Sequence, residues 1–171
     1  MNNVFLDSEV SIDILKLMKI AVIGYGNQGR AQALNLRDSG LQVIIGSRSD
    51  SPTSVKARED GFDVFTIEEA TLQSELICVL LPDQCAGEIY KKRIHKQLKP
   101  GHVLLFSHGY NIVYNKLSPP TFVDVVMVAP SGPGFAVRQE YKKGRGVPTL
   151  VAVQQDNSGS AKQVTLAYSK A

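Results

Sequence analysis

Three glycines near the start of the chain have a spacing that could hold a diphosphate. Gly24, Gly26 and Gly29 follow the apolar run 18–23 and precede a helix-like segment. In this order the first glycine permits a tight turn, the second lets backbone amides approach a pyrophosphate, and the third allows the helix to pack closely on the strand. The helix N-terminus adds unpaired N–H groups and a partial positive charge. The spacing predicts a dinucleotide site, and the alternative is a glycine-rich structural turn.

The end of the second predicted strand indicates which dinucleotide would bind. A site for NAD usually has an acidic residue there, about 20 residues after the glycines, which accepts a hydrogen bond from the ribose 2′-hydroxyl. This chain has Arg48 instead, followed by the hydroxyls of Ser51 and Thr53. A guanidinium offers a fork of donors that matches a phosphate, so the segment favours NADPH, with Asp50 pointing to water. The alternative is a solvated turn with an ordinary surface arginine.

His108 is the candidate for proton chemistry. It follows an apolar strand and precedes Gly109, at one of three strand ends (81–84, 107–111 and 129–134) that carry unusual residues. Ligands of open α/β sheets bind beyond such ends, and a histidine there could exchange protons or polarise a carbonyl near neutral pH. The alternative is a histidine that ties two loops together. His95 and His102 are expected on the surface.

The cysteine count and the charge balance exclude several classes of protein. Cys78 and Cys85 are the only cysteines, so neither a disulfide framework nor a four-thiolate zinc site can form; Cys78 is expected in the core. The 19 basic and 16 acidic residues give a net charge of +3 without a basic stripe, so no nucleic-acid partner is expected. No apolar run approaches the roughly 20 residues of a membrane helix, and the acidic start is unlike a signal peptide. We therefore expect a cytoplasmic protein without a membrane partner.

Short β-rich runs alternate with helix-like stretches along the chain. The expected strands are 18–23, 42–46, 63–65, 76–81, 102–106, 124–129 and 149–154, and the expected helices are 28–39, 52–60, 67–73, 83–98 and 160–170. This alternation predicts an α/β fold, a doubly wound and mostly parallel sheet of the Rossmann type with right-handed crossovers. The 171 residues, 43% of them hydrophobic, suit one such domain over 1–171, and the last helix closes it without opening another.

Several segments resemble the N-terminal domain of the ketol-acid reductoisomerase family. They are 21–40 with the glycine motif, 81–84 (Leu-Pro-Asp-Gln), 106–112, 126–130 and 144–148. They occur in the family's order from about residue 18 to the end of the chain. Two of them, Ser-His-Gly-Tyr-Asn and Gly-Arg-Gly-Val-Pro, are specific to this family beyond the generic nucleotide fold.

The resemblance implies an enzyme of isoleucine and valine biosynthesis that depends on NADPH and Mg²⁺. It would isomerise an acetohydroxy acid by alkyl migration and reduce the product to a dihydroxy acid. By analogy with the family, the residues would be Tyr25, Gly26, Asn27 and Gln28 at the pyrophosphate, Arg48, Ser51 and Thr53 at the 2′-phosphate, Asp83, Gln84, Cys85 and Ala86 along the cofactor, Gly134 on the nicotinamide side, and His108 as the active-site histidine.

The chain departs from the family pattern in two respects. The family's helical domain, which carries the magnesium carboxylates and through which a homo-oligomer would form, is not expected within these residues. Ser131 stands where the family commonly has a lysine that would supply positive charge to substrate oxygens, and Phe135 stands where a polar residue is frequent. Two other interpretations stay open: a non-catalytic NADP-binding relic or regulatory module, and a fragment of another small NADP-dependent dehydrogenase.

Overall fold

A seven-stranded sheet organises residues 4–171, which the computed structural model describes. The strands are β1 (Lys19–Ile23), β2 (Gln42–Gly46), β3 (Val64–Phe65), β4 (Leu76–Val79), β5 (Val103–Phe106), β6 (Asp124–Pro130) and β7 (Thr149–Gln155). Their order is β3-β2-β1-β4-β5-β6-β7, with β1 to β6 parallel and β7 antiparallel to β6. The predicted doubly wound, mostly parallel sheet is confirmed. The expected domain 1–171 begins with residues 1–3, which lie outside the described residues.

Helices cover both faces of this sheet. They are α1 (Asp13–Lys16), α2 (Asn27–Asp38), α3 (Pro52–Glu59), α4 (Ile67–Leu72), α5 (Asp83–Ile89), α6 (Tyr110–Val113), α7 (Gly134–Lys142) and α8 (Ala161–Lys170). One apolar cluster joins the sheet to α2 and α8, and a second joins the opposite face to α4 and the segment after α5. Because both faces are covered, β1, β4 and β5 are almost entirely buried, which explains why they read as continuous apolar runs.

Local signals fix the element ends that border the site. Ser51 caps α3 by accepting the N–H of Ser54, and Pro52 occupies the first position of that helix. Thr66 and Glu69 form a reciprocal capping box at the start of α4. Gly40 follows α2 with φ +82°, as expected for a helix C-terminus. The loops that follow β1 and β2 are therefore held between well-defined elements.

The helix predicted over 83–98 is interrupted. It consists of α5, a five-residue π turn (Tyr90–Ile94) and a short 3-10 turn (His95–Gln97). The Tyr90 ring is buried and its hydroxyl lies 3.0 Å from His95 Nδ1. Tyr90 and Ile94 both enter the core, and because their i, i+4 spacing also suits an α-helix, periodicity alone does not reveal the π turn.

Three further features differ from the expectations. Helix α7 is not among the expected helices; it packs on α2, where Arg138 bonds Asn35 and Asp38. Strand β7 reverses direction at the edge of the sheet. His102, expected on the surface, is buried, and its Nδ1 accepts the N–H of Lys99; burial lowers the pKa of this imidazole. Among residues 4–171, no helix combines the length and apolar composition needed to span a membrane.

Candidate functional site

The order of the strands reverses between β1 and β4, and a cavity of about 790 Å³ opens beyond their carboxyl ends. This topological switch point is where open α/β sheets bind ligands. The walls come from four places: the loop after β1, the loop after β2, the end of β4, and one face of α5 with the turn that follows it. The predicted pyrophosphate loop and the predicted 2′-phosphate loop thus face one cavity.

The glycine loop is shaped by backbone contacts at two of its three glycines. Gly24 has φ +97°, and a Cβ there would lie 2.9 Å from the Leu80 carbonyl oxygen. A Cβ on Gly29 would overlap the carbonyl oxygen of Gly24. Around Gly26, in contrast, a Cβ would meet nothing within 4 Å. The open space therefore lies where the N-terminal amides of α2 could receive an anion.

Tyr25 lines the cavity, while its ring is directed into the core. The ring packs edge-on against Phe62, and the hydroxyl donates to Asp60 Oδ2 at 3.0 Å. Arg30 also donates to that oxygen, at 2.6 Å, and this ion pair is the main reason that the pKa of Asp60 falls to about 2. Burial, followed by the bond to Asp60, raises the pKa of Tyr25. Tyr25 is therefore an anchor that fastens the glycine loop to the residue after α3.

Three hydroxyls and one arginine lie close together in sequence between the end of β2 and the first turn of α3. Ser51 Oγ lies 3.1 Å from both Ser47 Oγ and Thr53 Oγ1, at the N-terminus of α3. Arg48 is exposed and lines the same cavity, and its guanidinium has no hydrogen bond or ion pair within residues 4–171. Asp50 is exposed with φ +59° and makes no ion pair with Arg48. This arrangement provides the donors and the charge of an anion site.

Helix α5 and the turn after it form another wall of the cavity. Cys85, Ile89 and Arg93 line it at a spacing of four residues, and so do Glu88 and Lys92. Lys92 and Arg93 were not among the predicted site residues. The i, i+4 steps from Cys85 through Ile89 were the signal that could have found Arg93, whereas Lys92 is one such step from Glu88, which was not predicted either. Both cations are paired, Lys92 with Glu88 and Arg93 with Glu68.

A second cavity, of about 240 Å³, adjoins the first one and contains His108. Asp83 and Ala86, from the start of α5, line it together with Gln28 from the glycine loop. His108 Nδ1 accepts the N–H of Tyr110 at 3.1 Å and lies 3.5 Å from Asp83 Oδ2. The imidazole itself is 69% exposed. The structure therefore brings His108 and Asp83 together beside the glycine loop.

Gln84 and Gly134 lie apart from these two cavities. Gln84 lines a neighbouring cleft with Lys91 and Lys116. Gly134, the first residue of α7, packs directly on the glycine loop. A Cβ added to Gly134 would overlap the Asn27 carbonyl. Its contact with a nicotinamide stays a prediction, whereas its backbone packing on the glycine loop is a feature of the fold.

Comparisons with known proteins agree with this geometry. The family described as "Acetohydroxy acid isomeroreductase, NADPH-binding domain" matches residues 14–171. The chain belongs to the ketol-acid reductoisomerase family. It is 51% identical over 168 residues to the ketol-acid reductoisomerase (NADP(+)) of Pyrococcus abyssi, which covers 98% of this chain and 51% of that relative. The chain thus spans about half the length of this curated family member.

Solved structures place the same fold in this family and outside it. A NADH-preferring ketol-acid reductoisomerase from an uncultured archean is 47% identical, with a TM-score of 0.94 over 96% of this chain and 51% of that one. Pyrroline carboxylate reductase from Plasmodium falciparum, with NADP bound, is 18% identical over 91% of this chain and 56% of that one, with a TM-score of 0.67. The second likeness concerns the fold alone.

The two departures from the family pattern lie in and beside the loop that leads into α7. The Ser131 N–H donates to the Pro148 carbonyl at 2.8 Å, which joins two of the segments that resemble the family. Phe135 is exposed near the start of α7. Within residues 4–171, no three His, Cys, Asp or Glu side chains converge as a metal site would require. These residues therefore do not fit a magnesium ion by themselves.

Proposed function

We propose that this chain is the NADPH-binding part of an enzyme that isomerises and reduces acetohydroxy acids in branched-chain amino-acid biosynthesis. The observation that carries the proposal is the pairing of the glycine loop with the unpaired Arg48 across one cavity. Family membership supplies the reaction class. The Mg²⁺ that the family implies would be held by residues outside those described.

The cavity supports one orientation of the dinucleotide. The diphosphate would lie on the amides of Gly26, Asn27 and Gln28, where a Cβ added to Gly26 would meet nothing within 4 Å. The 2′-phosphate would lie against Arg48 and the hydroxyls at 51 and 53. The nicotinamide would then reach the adjoining cavity with Asp83 and His108.

Arg48 supports NADPH rather than NADH as the coenzyme. Two relatives differ in the coenzyme for which they are named, NADP(+) for one and NADH for the other. The Arg48 guanidinium forms no ion pair within residues 4–171, not even with the nearby Asp50, and the hydroxyls of Ser47, Ser51 and Thr53 lie next to one another in the same segment. A dianionic phosphate would complete this cluster.

His108 is suited to hold a proton against a carbonyl oxygen. Its Nδ1 accepts the Tyr110 N–H, so the neutral ring carries its proton on Nε2. NADPH, when bound, supplies the hydride. The Nε2–H group would polarise the substrate carbonyl that receives the hydride, and the bond from the Tyr110 N–H would keep the neutral ring oriented. Asp83, held by Asn111 Nδ2 at 3.0 Å, lines the same cavity.

Titration of the 171-residue chain with NADPH tests the proposal. We expect a change in nicotinamide fluorescence on binding and no turnover of acetolactate by this chain alone. Adding the C-terminal domain of a family relative should restore Mg²⁺-dependent NADPH oxidation. Binding without restored oxidation would favour the NADP-binding relic or regulatory module, an alternative that Ser131 supports. An unchanged fluorescence at millimolar protein would overturn the proposal.

The setting and the partners of the chain are part of the same proposal. We place it in the cytoplasm, in keeping with the unpaired Cys78 and Cys85. Its partner would be a small acetohydroxy acid, with no nucleic acid and no membrane. Homo-oligomers would form through the helical domain of the family. Size-exclusion chromatography of the chain with and without that domain would test the last point.

A further inference from the structure

Gln32 is a buried polar residue within α2. It is 5% exposed and belongs to the helix that begins with the glycine loop. Its Nε2 donates to Gln28 Oε1 at 3.0 Å and to Ser107 Oγ at 3.3 Å. Its Oε1 accepts the hydroxyl of Tyr168, which is buried in α8, at 2.8 Å. Every polar atom of this amide therefore has a partner.

The bonds form a chain with a defined direction. Gln28 Nε2 donates to the Gly132 carbonyl at 2.9 Å, and a carbonyl can only accept. Gln28 Oε1 must then face Gln32, which must donate to it and must present its own oxygen to Tyr168. Reversing either amide would set two acceptors against each other inside the protein, which costs about 1–3 kcal/mol per unsatisfied group.

Tyr168 is the donor at the inner end of this chain. Burial raises the pKa of the phenol well above its usual range, so the hydroxyl keeps its proton under all ordinary conditions. The chain of bonds that ends on the Gly132 carbonyl therefore begins with the Tyr168 hydroxyl, which always has a proton to donate to Gln32 Oε1. No titration of these groups would loosen the chain.

We propose that Gln32 and Tyr168 are positioning residues for the dinucleotide site. They hold the Gln28 side chain against the loop before α7, away from the space where the diphosphate would lie. Gln28 lines both cavities, and Gln32 also holds Ser107, the residue before His108. The bonds thus fix the diphosphate loop and the histidine loop relative to each other. This inference rests on the proposed function for its ligand, although the bonds themselves can be tested without one.

The first test needs no coenzyme. In Tyr168→Phe, hydrogen exchange of the Gln28 side-chain amide, followed by NMR, should speed up more than about tenfold. Tyr141→Phe is the matched control, because Tyr141 bonds Ser39 and takes no part in the chain of bonds. Unchanged Gln28 exchange in Tyr168→Phe would overturn the inference, whether or not the protein binds NADPH.

The second test measures the coenzymes. Tyr168→Phe should weaken NADPH and NADH equally, by about three- to tenfold, because both carry the diphosphate. Gln32→Met keeps the side-chain length without donor or acceptor and should act in the same direction if Tyr168→Phe proves poorly folded. An unchanged Kd with a lowered Tm would show a merely structural role and overturn the inference. If the unsubstituted chain binds neither coenzyme, the proposed function fails, and the exchange experiment still decides whether the bonds hold Gln28.

Discussion

The two ends of the cavity are built in different ways. At the glycine-loop end, Gly24 lies against Leu80, Gly29 against the Gly24 carbonyl and Gly134 against the Asn27 carbonyl, at distances that leave no room for a Cβ on these three glycines. At the other end, Arg48 and Asp50 are exposed on a short loop, and the Arg48 guanidinium has no hydrogen bond or ion pair within residues 4–171. One end is specified by packing and the other by a few solvated side chains.

If Arg48 binds the 2′-phosphate as we propose, this difference would account for members of one family with different coenzyme preferences on one backbone. The structure from the uncultured archean, described as NADH-preferring, superposes with a TM-score of 0.94. Changes at an exposed loop cost little stability, whereas changes at a close backbone contact affect the whole domain. We therefore expect substitutions at the two ends to have separable effects.

The largest effect is expected at the packed end. Gly134→Ala would push a Cβ into the Asn27 carbonyl, so the free energy of unfolding should fall by about 3 kcal/mol and Tm by about 6–12 °C. Thermal unfolding measures this loss. Gly26→Ala is the control, since its Cβ would meet nothing within 4 Å. It should leave Tm unchanged and weaken both coenzymes, and a stable, fully binding Gly134→Ala would refute the contrast.

The next effect should separate the two coenzymes. Arg48→Asp should weaken NADPH binding more than about tenfold while NADH binding hardly changes, because only NADPH carries the 2′-phosphate. Fluorescence titration with both coenzymes gives the ratio. Arg58→Asp, at an exposed arginine of α3 that does not line the cavity, is the control. Equal losses for both coenzymes would show that the loop after β2 does not bind the phosphate.

The smallest effect concerns Asp60, the residue after α3 to which Tyr25 of the glycine loop and Arg30 bond. The pKa of Asp60 is about 2, below its usual value, so its stabilisation is present above about pH 4 and is lost as the pH falls toward 2. Asp60→Asn should lower the free energy of unfolding by about 1–2 kcal/mol at neutral pH. Denaturant unfolding of both proteins from pH 2 to pH 6 measures the difference. A difference that stayed constant down to pH 2 would contradict the assignment to this carboxylate.

Much of the fold could be predicted because parallel strands that are buried on both faces appear in the sequence as continuous apolar runs. Strand β2 has the predicted bounds Gln42–Gly46, and β1 and β4 were found from their continuous apolar runs. Helix α7 was not predicted, because it packs mainly on α2 and follows a segment rich in proline and glycine. The direction of β7 depends on its connection to β6, which local periodicity does not contain.

The candidate site was predictable where a residue type has one evident role. The glycine loop, Arg48 and His108 fall on the cavities as expected, although their roles remain predictions. Gln32 could not be found, because a glutamine in a helix is ordinary until its three partners are known. Those partners come from α8, from the end of β5 and from the preceding turn of α2, which only the folded chain brings together.

The position of β1 beside β4 also bears on how the molecule acquires its structure. Across this seam Lys19 meets Glu75, 56 residues further along, while every other adjacent pair of strands is joined by a shorter stretch of chain. Closing a longer loop has a larger entropic cost and slows folding. We expect the halves on either side to assemble first and the seam to form late, so that the binding crevice is among the last parts of the protein to exist.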